Sequence, residues 1–469
     1  VARYQQPNPY DLLFFAADAA QRRLGLPGTT AHIHLELDGH VDLEGLRRAF
    51  DALRRRYPVL GARCEVSAWT GRPRWRLDGS PRPADVHVHT STNDECAQAT
   101  DWLLNRPIDG RWHDPVELHV LRCRAHDVVV LRWTHALMDG RGGLTVLEEL
   151  HRLWNAPMSE GESSAGDEER DSYGQILGTV SGTQRCRAAL RLLTGRTARG
   201  PVGIPLVVQA GPARCSPVRH ILRVLSPAAR RHVEANAARI CPDARLSDYL
   251  RATGVRALHE NMPAAVSRAG VYTLLAYIDN RRHFPGAVCW NLTSALPLVA
   301  PVELAMDRAR LARLLREQME NHHATGTAAQ DALNLWLITR LPTAWLAALA
   351  RGAFARGDAL AGRLAMRAPL SLPLGILGPF AQPLPVFCGR PLRNYYAFRA
   401  PLPRPGFAID VQLTADGLNV VGVCLEACLA VERLSALIDR FVTLLLFPET
   451  GLPPGAEARR GSLSASQSA

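Results

Sequence analysis

One stretch of the chain carries groups able to do proton chemistry in a fixed frame: Trp133-Thr134-His135-Ala136-Leu137-Met138-Asp139-Gly140. An imidazole titrates near neutral pH and can act as general base toward an attacking hydroxyl or amine. The spacing of His135 and Asp139 would equally suit two ligands of a metal, or arise by chance in a loop. The context favours the base. Val128-Val129-Val130-Leu131 upstream reads as a buried strand, and Leu144, Leu147, Leu150 and Leu153 recur downstream at helical spacing. His135 therefore sits where a strand ends and a turn enters a helix, a place from which a rigid scaffold can aim a side chain.

His135-x-x-x-Asp139-Gly140, after a strand and before a helix, resembles the His-His-x-x-x-Asp-Gly motif of a superfamily of acyl-transferring enzymes. That superfamily includes chloramphenicol-acetyltransferase-like enzymes, peptide-synthetase condensation domains, plant acyltransferases and bacterial wax-ester synthases. The first histidine of the doublet is Thr134 here, whereas the second, the catalytic one in the family, is present as His135. The resemblance implies that His135 takes the acceptor proton while Asp139 and Gly140 shape the turn, Asp139 pairing with a buried arginine. Arg63, in the segment Pro58-x-Leu60-x-x-Arg63, is the first candidate partner, with Arg281 and Arg282 behind it. It also implies an α/β fold of two chloramphenicol-acetyltransferase-like subdomains, each a mixed sheet with flanking helices, in a V-shaped pseudo-dimer. The expected division is 1–198 and 217–447, followed by a disordered tail over 448–469. The donor would be a thioester of coenzyme A or of the phosphopantetheine on an acyl carrier protein, and the acceptor a small molecule. No metal or tightly bound cofactor is implied, and a monomer is expected. The alternative is a condensation-like domain that is catalytically silent or repurposed, as a docking platform or a cyclase.

Composition narrows the other possibilities. The 469 residues are enough for two subdomains. All 55 basic residues are arginine, so a Walker phosphate loop and a Schiff-base lysine are excluded. The net charge of +11 would attract phosphorylated donors, although a GC-rich genome writing Arg freely explains it more simply. No Arg cluster is interleaved with aromatics, which argues against a nucleic-acid partner. The ten cysteines show no Cys-x-x-Cys pair, and no apolar leader opens the chain, so reduced thiols in a cytoplasm are expected.

The elements that must position His135 follow from periodicity. Residues 31–38 alternate, with Ile33, Leu35 and Leu37 on one face of a strand and His32 and His34 on the other, expected exposed. Asp42 caps a helix whose Leu43, Leu46, Phe50 and Leu53 form a stripe. An acidic loop over 157–173 and a helix over 185–193 precede a Pro/Gly-rich boundary at 199–216. The second half begins again with a strand at 220–225, a helix launched by Ser226-Pro227, and another capped by Ser247. A strand over 271–278, an Asn291-to-Leu298 segment and a Leu/Arg helix resemble the family's succession. Residues 335–366 are apolar but studded with Arg, compatible with contact at a membrane surface though more commonly a packed helical pair. Residues 372–380 loosely resemble the family's Ser-Asn-Leu-Gly segment. Strands at 407–413 and 418–425 flank Asp416-Gly417, a hairpin signal, and a final helix spans 431–447.

Overall fold

The computed structural model describes residues 3–67, 71–77, 85–90, 93–110, 113–156, 181–183, 186, 215–261, 270–281, 289–324, 333, 335–337, 339–356 and 370–448. The expected acidic loop, nearly all of the 185–193 helix, most of the 199–216 connection, residues 357–366 and the tail beyond 448 lie outside these residues.

The first half runs β1 (Tyr4–Gln5), α1 (Pro9–Arg23), β2 (Thr30–Asp38), α2 (Leu43–Arg56), β3 (Arg63–Val66), β4 (Pro73–Arg76), β5 (Val86–Thr90), α3 (Asn93–Asn105), β6 (Val116–Arg122), β7 (His126–Thr134) and α4 (Gly140–Asn155). The second runs β8 (Val218–Leu225), α5 (Pro227–Ile240), α6 (Leu246–Glu260), β9 (Val271–Asp279), β10 (Thr293–Pro301), α7 (Arg308–Ala324) and α8 (Thr343–Arg356). It ends with β11 (Leu374–Leu377), β12 (Val386–Phe387), β13 (Arg390–Arg399), β14 (Phe407–Leu413), β15 (Leu418–Leu425) and α9 (Val431–Leu446).

Several of these elements start where local chemistry says they should. Asn8 accepts from the Asp11 amide while Asp11 accepts from the Asn8 amide, a reciprocal cap with Pro9 in the first helical turn of α1. Asp42 caps α2 through the amides of Glu44 and Gly45. Ser226 caps α5. Ser247, expected as a cap, instead lies inside α6; Asp248 does the capping work by accepting from the Arg245 amide.

Two mixed sheets are stacked with helices. In the first, the order is β12-β13-β2-β7-β6-β5, antiparallel except for the β5–β6 pair. Its outer strands β12 and β13 come from the second half of the chain, so the second half completes the sheet that the first half begins. In the second, β11-β14-β15-β8 is extended by the β9–β10 ribbon through a bridge from Leu274 to Leu372. Leu46, Phe50 and Leu53 of α2 and Leu144, Leu147 and Leu150 of α4 bury one face of the first sheet against Ile33, Leu35 and Leu131. Helices α6, α7 and α9 close the second sheet around Tyr249, Leu298, Leu311 and Phe441. Between the sheets, Tyr396 and Phe398 of β13 meet Val421 and Val423 of β15.

That contact corrects one expectation: His32 and His34 are fully buried. A strand in the middle of a sheet covered on both sides has no solvent face, and the ring of His34 is stacked on Tyr396 with Phe398 edge-on to it. The cysteine expectation also changes, because Cys96 and Cys123 form a disulfide. Among the described residues no helix is long and apolar enough to cross a membrane. Helix α8 uses Leu346 and Ala347 to pack on Ala16 and Ala19 of α1 and leaves Trp345 67% exposed.

Candidate active site

His135 lies in the turn between β7 and α4, as its sequence context predicts. The turn is pinned from below: the His135 amide donates to the Thr29 carbonyl at 2.7 Å, and the Leu137 amide to the Thr134 carbonyl at 2.9 Å. The buried Trp133 indole donates to the Met138 carbonyl at 2.8 Å, fastening the far side of the loop to the strand that enters it. Thr134 is the last residue of β7, buried and paired with Thr30 of β2.

Asp139 is the N-cap of α4 and accepts from the Gly142 amide at 2.8 Å. Its carboxylate also receives the Arg281 guanidinium at 2.8 and 3.2 Å, the Leu292 amide at 3.0 Å and the Thr293 hydroxyl at 2.8 Å. Burial alone would raise the carboxyl's pKa, but the Arg281 charge and these hydrogen bonds overcome it and hold the pKa below the usual range. A carboxylate so engaged has no oxygen left over for proton transfer.

The arginine is therefore Arg281, just past β9, and this corrects the first-choice assignment of Arg63. Arg63 opens β3, where its residue is exposed and pairs in register with Arg76, away from the motif turn. Arg281 also donates to the Trp290 carbonyl, which ties the β9 end to the segment leading into β10. Arg282 lies outside the described residues.

Gly140 is the first residue of α4, and a side chain there would meet Leu377 only at 3.7 Å, an ordinary contact. The demanding glycines are its neighbours. A Cβ on Gly142 would fall 2.0 Å from the Cys289 carbonyl oxygen, and one on Gly143 would fall 2.6 Å from the Trp133 ring.

Asn291 was not singled out from the sequence as a site residue, yet it joins three segments. Its side-chain amide nitrogen donates to the His135 carbonyl and to Asp11 of α1, both at 2.8 Å, and its main-chain carbonyl accepts from the Asn8 side chain at 3.0 Å. The Asn8-Pro9-Tyr10-Asp11 pattern announces a helix start, but nothing local says that the cap also reaches a residue 283 positions away.

The His135 ring is stacked on Phe14 of α1, centroids 3.8 Å apart and planes 14° from parallel. Nδ1 is buried, while the residue as a whole is half-buried. Burial lowers the imidazole pKa to about 4, against the opposing influence of its own carbonyl, Asp139 and the Asn291 amide. The ring is thus neutral at physiological pH, the state a general base must start from.

Solved structures share this architecture. The first condensation domain of the CDA synthetase superposes with a TM-score of 0.68 at 18% identity, covering 95% of this chain and 96% of that one. The trichothecene 15-O-acetyltransferase from Fusarium sporotrichioides gives 0.67 at 11% identity, covering 95% and 98%. The epimerization domain from the third module of tyrocidine synthetase B gives 0.62 at 13%, covering 95% and 97%. No family model matches the sequence, and no curated protein matches it. The fold is the two-subdomain α/β fold of these structures.

Proposed function

We propose that this protein is an acyltransferase in which His135 takes a proton from a hydroxyl or amine as it attacks a thioester carbonyl. The observation that carries the reading is the neutral His135 ring at a turn that both halves of the chain hold in place. The bond formed is the new ester or amide, the bond broken is the thioester C–S bond, and the proton passes through His135 to the departing thiolate. Base assistance of this kind contributes about 10²–10⁴-fold, and holding both reactants at one turn supplies much of the remainder. Asp139 stays ionised and structural. Coenzyme A or a carrier-borne pantetheine is the expected handle, and the condensation domain and acetyltransferase among the structural neighbours make natural-product synthesis the expected setting.

The test is a screen of acetyl-, medium- and long-chain acyl-coenzyme A, and of acyl-pantetheine, against panels of alcohols and amines. Free thiol and product mass are the readouts. Acceptor-dependent thiol release supports the reading; failure throughout the panel, with the protein folded, contradicts it. The epimerization domain favours a second reading, proton transfer at a carrier-bound substrate without acyl transfer. Solvent deuterium incorporation into an aminoacyl-pantetheine, with no thiol released, would select it.

A further inference from the structure

We propose that His87, His89 and His119 form a binding site for a single divalent transition-metal ion such as zinc, at the outer edge of the first sheet. The site is separate from His135 and does not depend on the acyl-transfer reading.

The backbone brings the three rings together. β5 and β6 pair in parallel with His87 in register with His119, so these two side chains point to the same face of the sheet. His89, two residues further along β5, shares that face. Three imidazoles around one tetrahedral zinc have ring centres about 5 Å apart, since each Zn–N bond is about 2.0–2.1 Å. Here the His119 ring centre is 4.8 Å from that of His87 and 5.3 Å from that of His89. Nε2 of His89 lies 3.1 Å from Nδ1 of His119. Two nitrogens on one zinc are separated by about 3.3 Å.

The second nitrogens suit the same purpose. Nε2 of His119 lies 3.1 Å from the Glu117 carboxylate, which also accepts from the Arg132 guanidinium. A carboxylate in an ion pair only accepts, so His119 donates from Nε2 and its Nδ1 presents a lone pair toward His89. A carboxylate behind the imidazole in this way is the usual means of orienting a histidine ligand. His87 has the same option, because the Asp85 carboxylate stands 3.6 Å from its Nδ1, leaving Nε2 for a metal.

As the side chains stand, no three metal-binding groups among the described residues converge on one point. The remaining move is a turn of the His87 ring, which a side chain 34% exposed can make. His119 is fully buried, whereas His87 and His89 are half-buried, which gives an ion a way in from the strand edge. Binding displaces the proton that His89 Nε2 shares with His119, and that proton passes to His89 Nδ1, so the ligands stay neutral. Arg106 opposes a cation here: its guanidinium lies 5.2 Å from the centre of the Trp102 ring, which stands edge-on to His89. Solvent at the half-buried edge screens that repulsion. A metal would fasten β5, an edge strand paired only with β6, to the rest of the sheet.

The experiment strips the whole chain of metal with a chelator and titrates it with Co²⁺, then with Zn²⁺, reading cobalt's visible absorption and the melting midpoint. One Co²⁺ per chain should give the intense absorption of a four-coordinate ion, water filling the fourth position, and one Zn²⁺ should abolish it. Zinc at about 100 times its Kd should raise the melting midpoint by about 2–3 °C. His87→Ala and His89→Ala should each weaken Zn²⁺ binding by at least the roughly tenfold that loss of an outer-shell partner costs. His232→Ala, at an exposed position on α5, should bind as the natural protein does. The absence of both a cobalt spectrum and a zinc-dependent shift overturns the proposal. So does binding that either His87→Ala or His89→Ala leaves undiminished.

Discussion

At the scale of single residues, His135 and Asp139 have opposite jobs, and the two kinds of loss separate them. Asp139 is 5% exposed and carries Arg281, two amides and a hydroxyl. Removing one member of a buried ion pair leaves the other uncompensated, at a cost of about 3–5 kcal/mol. Asp139→Ala and Arg281→Ala should both lower the denaturation midpoint by such an amount, and the double variant should cost less than the sum. Arg63→Ala, at an exposed position, should change stability by no more than about 0.5 kcal/mol. Equal losses at Arg63 and Arg281 would contradict the pairing. His135 and Asp139 were legible because a strand, a turn and a helix are written plainly around them. The partner was not, because Arg63 and Arg281 are the same residue type at different distances along the chain, and only folding decides which one arrives. Asn291 was hidden for the same reason: its hydrogen bonds join residues 156 and 280 positions apart.

At the scale of elements, the turn depends on how closely α4 approaches the β9–β10 connection. Gly142→Ala would drive a methyl into the Cys289 carbonyl, whereas Gly140→Ala finds ordinary van der Waals space. Gly142→Ala should therefore cost about 1–3 kcal/mol as an overpacked contact, and more than Gly140→Ala in chemical denaturation; the reverse ranking would rule out this packing. The first sheet has its own weakness. Its second face buries His32 and His34 of β2 and His119 of β6 beside the Arg132–Glu117 ion pair, and neither ring nitrogen of His34 has a partner. Burial holds His32 and His34 well below 6.5 and His119 at about 4. Between those folded values and 6.5 the unfolded chain binds more protons, so stability is full above pH 6.5 and falls as pH drops below it. His34→Leu should flatten that fall in urea midpoints measured from pH 7.5 to 5, and an equally steep fall would contradict the assignment. The alternation of residues 31–38 revealed the strand but not this layer. A histidine face reads as solvated unless the second half of the chain is known to return over it as β13.

At the scale of the whole molecule, two sheets of mixed strands were legible as repeated strand-and-helix successions. The exchange of β12 and β13 into the first sheet was not, because sheet order is a long-range property with no local signature. The site is a product of that assembly: the turn between β7 and α4 supplies His135, α1 the ring against it, and the β9–β10 region the arginine and the asparagine. The charge of +11, all of its basic residues arginine, also acts at this scale. If some of it meets the donor's phosphates, the apparent Kd for coenzyme A should weaken as salt rises from 50 to 500 mM, since screening lengths fall to several ångströms over about that range. Salt-independent binding would leave the charge without a role in donor capture.

The most direct test of the account compares kcat/KM of the natural protein and His135→Ala, on one substrate pair from the thioester screen, with melting curves of both. A neutral base predicts a rate free of any limb at pH 6.5, since the ring stays deprotonated down to about pH 4. Replacing it should remove about 10²–10⁴-fold in rate while leaving the melting temperature no lower. Turnover by folded His135→Ala at the natural rate would contradict the account at its centre.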